Sequence, residues 1–162
     1  MEFEQRLQKA IQRGRQLGNQ RRSREEAEAL NEEDLKSLHS KHRLVLSEKI
    51  ESCAKQLQHH FPGFQFETIF GERGWGAAVS RDDIQISSGK RSNRYSRLEM
   101  TIRPFSEAHV LDLAVKGTIH NKEIFNQNHF EKISETDQDS FVELIDLWVL
   151  EYAELYSAKG SS

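Results

Sequence analysis

A chain of 162 residues with 36% hydrophobic and 30% charged side chains is sized for one principal core, and its net charge of −3 argues against a general binder of polyanions. No run of about 18 apolar residues is present, so no membrane-spanning helix is expected. The lone Cys53 excludes an internal disulfide and a multi-cysteine metal site; with a start at Met1-Glu2-Phe3-Glu4 that has neither a basic nor an apolar signal region, it favours the cytoplasm.

Apolar residues are sparse over 1–35 and dense over 64–158, and Phe3 is the one aromatic before Phe61. Aromatic area dominates core energetics, so the packed body is expected in the second two-thirds of the chain. At the N-terminus, Phe3, Leu7, Ile11 and Leu17, with Ala10 and Gly14 between them, recur at roughly helical spacing. Gly18-Asn19 reads as a helix stop. Ser23-Arg24-Glu25-Glu26 reads as a capping box for a new helix, and Asn31-Glu32-Glu33-Asp34 as a second possible start. Residues 23–60 are therefore one helix or two, and the N-terminal third is a helical arm or a hairpin. From Leu35 the pattern is regular: Leu38, His42, Val45, Leu46, Ile50, Cys53, Ala54, Leu57 and Phe61 share one face, and Pro62-Gly63 ends it.

Charge in this region is segregated. Residues 5–24 carry Arg6, Lys9, Arg13, Arg15, Arg21, Arg22 and Arg24 with no acidic residue. Residues 25–35 carry Glu25, Glu26, Glu28, Glu32, Glu33 and Asp34 with no basic one.

The period then changes. Phe64, Phe66, Thr68 and Phe70 alternate with Gln65, Glu67 and Ile69, which predicts a strand. Gly71-Glu72-Arg73-Gly74 turns into a second strand from Trp75 to Ser80, extending towards Ile86. A loop is expected at residues 87–93, then a strand through Leu98, Met100 and Ile102, another through Leu111, Leu113, Val115 and Ile119, and a weaker one from Glu123 to Phe130. Short connections make an antiparallel meander of four or five strands the simplest arrangement. Phe141, Leu144, Ile145, Trp148, Tyr152, Leu155 and Tyr156 form an apolar stripe on a final helix, with Thr136-Asp137-Gln138-Asp139 as its cap. The fold class is α+β: a helical arm or hairpin, the antiparallel sheet, and a C-terminal amphipathic helix packed on it. The expected division is an arm over 1–34, one domain over 35–158, and a disordered tail over 159–162.

Chemical motifs are few. Gly71, Gly74 and Gly76 are spaced G-x-x-G-x-G but join two strands, whereas a phosphate loop feeds a helix N-terminus, so a hairpin turn is expected. His39 and His42 lie three apart on a helix and meet the one-face condition for metal ligands only loosely; His59-His60 suit a helix C-terminus. Cys53 lies mid-helix on the apolar face and reads as packing. Asp82-Asp83 would point to opposite faces of a strand and cannot share acid–base work. No catalytic, cofactor-binding or metal-ligating residue is assigned, and no cofactor is expected.

The residues support three readings. The first is a non-catalytic interaction protein, adaptor- or chaperone-like, whose arm residues Phe3, Leu7, Ile11 and Leu17 contact a protein partner or a second copy. The second is nucleic-acid binding by the basic arm and a basic 90–97 loop, in which Lys90, Arg91, Arg94 and Arg97 surround Tyr95 and could grip phosphates. The third is a small-ligand binder or enzyme with a site under the C-terminal helix; the polar run Asn126, Gln127, Asn128 and His129 could line a pocket or guard an edge strand.

Overall fold

The computed structural model of the chain describes residues 2–159, with the backbone alone at residues 27–30, 85 and 87. Two compact units are present, 1–37 and 38–162. Helix α1 (Phe3–His60) runs through the boundary as a single element. The predicted stop at Gly18-Asn19 and restart at Ser23 do not form, so the two-helix and hairpin alternatives are corrected to one helix. Glycine in a helix interior costs about 1 kcal/mol, and the surrounding Arg, Gln, Glu, Ala and Leu are strong helix formers. Where the basic block meets the acidic one, Arg21 and Glu25, and Arg22 and Glu26, are spaced i,i+4, the separation at which opposite charges support a helix.

In the second unit, five strands come after α1: β1 (Gln65–Ile69), β2 (Trp75–Ser87), β3 (Lys90–Ile102), β4 (Val110–Ile119) and β5 (Lys122–Lys132). They pair antiparallel in the order β1-β2-β3-β4-β5, a five-stranded meander. The β1–β2 turn uses Gly71 at φ +100° and Gly74 at φ +109°, with the Gly74 N–H donating to the Gly71 carbonyl at 3.1 Å. Glycine reaches these left-handed dihedrals without the Cβ clash that other residues meet. The loop expected at 87–93 is instead a two-residue turn, Ser88 (φ 53°) and Gly89 (φ 72°), closing a register in which Ser87 faces Lys90. Two successive positive φ values match the turn twist to the strand twist, so β3 can begin immediately after them.

One face of the sheet is apolar and covered by helices. Leu98, Met100 and Ile102 of β3 and Leu111, Leu113, Val115 and Ile119 of β4 are buried. Onto them pack Leu46, Ile50, Cys53, Ala54 and Leu57 of α1 and Phe141, Ile145, Trp148, Tyr152 and Tyr156 of α2 (Gln138–Ala158), all buried. Each large apolar side chain so covered contributes about 1.5–3 kcal/mol. The predicted α1 stripe needs correction: His39 is buried, His42 is half-buried and Val45 is 42% exposed. Leu46, Ile50, Cys53, Ala54 and Leu57 are buried as predicted, and the face departs from the predicted stripe at its N-terminal end, where His39 is buried in place of Leu38, His42 and Val45. The Asp137 side chain caps α2 by accepting from the Asp139 N–H at 3.2 Å. At the other end Lys159 is the helix C-cap, its N–H donating to the Leu155 carbonyl; it is not part of a tail, and residues 160–162 lie outside the described residues.

No helix among the described residues is long and apolar enough to cross a membrane.

Candidate interaction surfaces

The first unit presents an amphipathic helix with no apolar cover among the described residues. Phe3, Leu7, Ile11 and Leu17 are 76%, 47%, 47% and 67% exposed. At 100° per residue they share a stripe about 120° wide with Ala10, Gly14 and Gly18. A Cβ added at Gly14 or Gly18 would meet nothing within 4 Å. Arg6, Lys9 and Arg13 flank the stripe on one side and Arg15 and Arg22 on the other, all exposed.

The uncovered face of the sheet is polar and largely self-neutralised. Arg97 donates to Glu67 at 2.6 Å and to Glu99 at 2.9 Å, and Arg73 donates to Glu99 at 2.7 Å. The Arg97 guanidinium is partly buried, and its hydrogen bonds to Glu99 and Glu67 outweigh that desolvation and push its pKa further up. Of the four residues expected to hold phosphate, Arg97 is therefore committed to joining β3 to β1. A depression of about 390 Å³ on this face is lined by Arg73, Glu99, Thr101, Lys116, Asn126 and Asn128 among others. Asn128 donates to Asp112 at 3.1 Å, so this member of the polar run is bonded within the sheet. His129 turns away from this depression and meets Glu131 at 2.8 Å and the Phe141 ring at 5.0 Å. Burial opposes ionisation of Glu131, but the Asp137 N–H, His129 and Ser140 outweigh it and hold its carboxyl below the usual range.

The remaining cations sit on a ribbon. β2 and β3 pair from Trp75–Ile102 out to Ser87–Lys90, whereas β3 and β4 pair only from Arg97–Thr118 inward. Lys90, Arg91 and Arg94 therefore lie on a two-stranded extension of the sheet, not on the loop expected from the sequence. Ile84 and Ile86 on the same ribbon are exposed, and Asp83 pairs with Arg81 at 2.8 Å.

The helical layer is different again. α2 carries Asp139, Glu143, Asp146, Glu151 and Glu154 and no basic residue. Between α1 and α2 lies a groove of about 390 Å³ whose lining includes Cys53, Leu57, Phe61, Val149, Leu150 and Ala153. Leu147 and Leu150 are 57% and 66% exposed. Lys49 binds Asp146 at 2.8 Å, and the Cys53 thiol points to the same carboxylate at 3.6 Å. Burial pushes the Cys53 thiol pKa up, which keeps it protonated and unreactive.

Comparison with known protein families, curated proteins and solved structures gave no match. Among the described residues no group of three or more His, Cys, Asp or Glu side chains could hold a metal ion. His39 is fixed in the core, its Nε2–H donating to the Arg103 carbonyl at 3.1 Å, with Phe105 edge-on. Sequence reasoning misses the groove between the helices. Its signal is present in Leu147 and Leu150, two apolar residues that fall off the buried stripe of α2.

Proposed function

We propose that this chain is a non-catalytic protein-interaction protein, adaptor- or chaperone-like, whose N-terminal arm is the binding element. The observation that carries the reading is the exposure of Phe3, Leu7, Ile11 and Leu17 on one stripe of a formed helix. A solvated helix has no use for such a stripe, and an isolated amphipathic helix is marginal in water until its apolar face is buried. Helix-in-groove recognition uses this anchor spacing, with affinity from the apolar residues and orientation from the flanking charges. A cytoplasmic setting belongs to the same reading, supported by the single buried thiol. The nucleic-acid alternative retains Lys90, Arg91 and Arg94 but loses Arg97 to Glu67 and Glu99, and the acidic block at 25–34 repels a polyanion.

The test is deletion of residues 1–20, with sedimentation velocity and circular dichroism beside the full chain. The expected result is a folded body whose association state has changed or which no longer captures its partner. An unchanged association state with unchanged capture would remove the arm from function.

A further inference from the structure

The arm needs a surface that is apolar along a helix-sized track and acidic at its borders. On the body, the uncovered sheet face is polar and internally paired, and the β2–β3 ribbon adds cations that would repel Arg6, Lys9 and Arg13. The helical layer has both properties required. Its groove between α1 and α2 is lined mainly by apolar side chains, with Gln56, His60 and Asp146 also in the lining; Leu150 in that lining and Leu147 are exposed. α2 contributes five carboxylates with no basic residue, and four of them remain once Asp146 is paired with Lys49.

Resting on the reading of the arm as the binding element, we propose that the basic, apolar arm of one copy docks on the acidic helical layer of a second copy. Phe3, Leu7 and Ile11 lie along the groove, and Arg6, Lys9 and Arg13 face Glu143, Glu151 and Glu154. The lengths agree: Phe3 to Leu17 rises about 21 Å, and the 21 residues of α2 about 30 Å. Charge is matched to the residue class, with an arm that is wholly basic over residues 5–24 meeting a helix that is wholly acidic. Each copy carries both the arm and the groove, so a reciprocal exchange closes as a two-fold dimer. Gly14 and Ala10 on the arm stripe let the two backbones approach closely at its centre.

The proposal is tested on the full chain in a Cys53→Ala background. One preparation carries Leu7→Cys and the other Leu150→Cys, and the two are mixed under mild oxidation. The expected product is an inter-chain disulfide that forms in the mixture well above the level in either preparation alone. In parallel, Glu143→Lys, Glu151→Lys and Glu154→Lys together should weaken self-association about tenfold or more near 0.1 M salt. Mixing with the Arg6→Glu, Lys9→Glu, Arg13→Glu chain should restore it. If the triple charge-reversed chain fails to fold, the disulfide experiment decides alone. Loss of association on deleting residues 1–20, with no 7–150 cross-link and no effect of charge reversal, would keep the arm as binding element and overturn this groove as its receptor. No loss on deletion would overturn both. A monomeric protein whose arm binds vesicles of anionic lipid would also overturn the proposal.

Discussion

The two halves of α1 are made from the same periodic material and end in opposite states. Ile11 is 47% exposed and Ile50 is fully buried, although each sits on an apolar stripe of the same helix. The difference comes from the partners each half has within its own unit. Residues 38–60 belong to the unit that contains the sheet and α2, which supply the facing surface; residues 3–37 form a unit with no strand. Helical periodicity thus reports that a face is meant to be buried, and says nothing about where the covering surface comes from.

The sharpest way to break this contrast is to make the same substitution in both halves. Ile50→Ala should cost about 2–5 kcal/mol, the range for truncating a fully buried aliphatic side chain, read as a lower urea midpoint. Ile11→Ala should fall within about 0.5 kcal/mol of wild type at concentrations where the protein is monomeric. Equal losses would place the arm in the core.

A smaller effect separates the two ends of β3 in the same manner. Arg97→Ser should cost about 1 kcal/mol, because a partly buried guanidinium joined to Glu67 and Glu99 is lost and both carboxylates are left near one another. Replacing Lys90, Arg91 and Arg94 together by Ser should change stability by about 0.5 kcal/mol or less, since Lys90 and Arg91 are exposed and Arg94 lies on the ribbon beyond the sheet. Chemical denaturation of the two variants side by side decides it. A larger loss from the triple ribbon variant would make the ribbon part of the folded core.

The smallest effect is one of pH, and it belongs to the body alone. Burial lowers the pKa of His39 and of His120 below the ordinary 6.5, so the unfolded chain binds protons that the folded chain refuses. Their contribution is complete above about pH 6.5 and is lost as the pH falls from there through the lower folded-state values. Glu131, held below 4.5, adds a second loss beneath that pH. At concentrations where the protein is monomeric, denaturation midpoints measured between about pH 8 and pH 4 should fall below about pH 6.5 and be the same for the full chain and for the chain lacking residues 1–20. The arm over 2–26 holds no histidine, so a shift of this acid transition on truncation would contradict the division.

Much of the fold is legible in the sequence because its signals are local. The alternation at Leu98, Met100 and Ile102 and the stripe from Phe141 to Tyr156 are read by counting, and short connections leave few topologies besides a meander. The misreadings share one cause, which is competition between a local signal and its neighbours. Gly18-Asn19 offers a helix stop but stands among strong helix formers, and Ser88-Gly89 merges with a longer loop because the polar residues after it resemble one. The departure of the α1 stripe to His39 at its N-terminal end cannot be counted from spacing, since His39 gains its place by donating to the Arg103 carbonyl just past the end of β3. The candidate surfaces are legible as residues but not as groups. Arg97 stands near Lys90 in sequence, yet in the sheet its neighbours are Glu67 and Glu99.

The strand order also sets a timetable. Each of β2 to β5 pairs with the strand made just before it, so hairpins can close one after another as the chain leaves the ribosome, with little loop entropy to overcome. The helices keep a different schedule. α1 precedes the strands in the chain, whereas the buried residues of the sheet extend to Phe125 and the aromatic stripe of α2 arrives last, at Phe141 to Tyr156. Throughout that interval the nascent chain carries two uncovered apolar stripes on one helix, one at Leu46–Leu57 that its own sheet and α2 will cover and one at Phe3–Leu17 that stays exposed in the single chain, flanked by Arg6, Lys9, Arg13 and Arg15. The charges around the second stripe are of the kind that oppose aggregation of an exposed apolar segment while the first waits for its sheet.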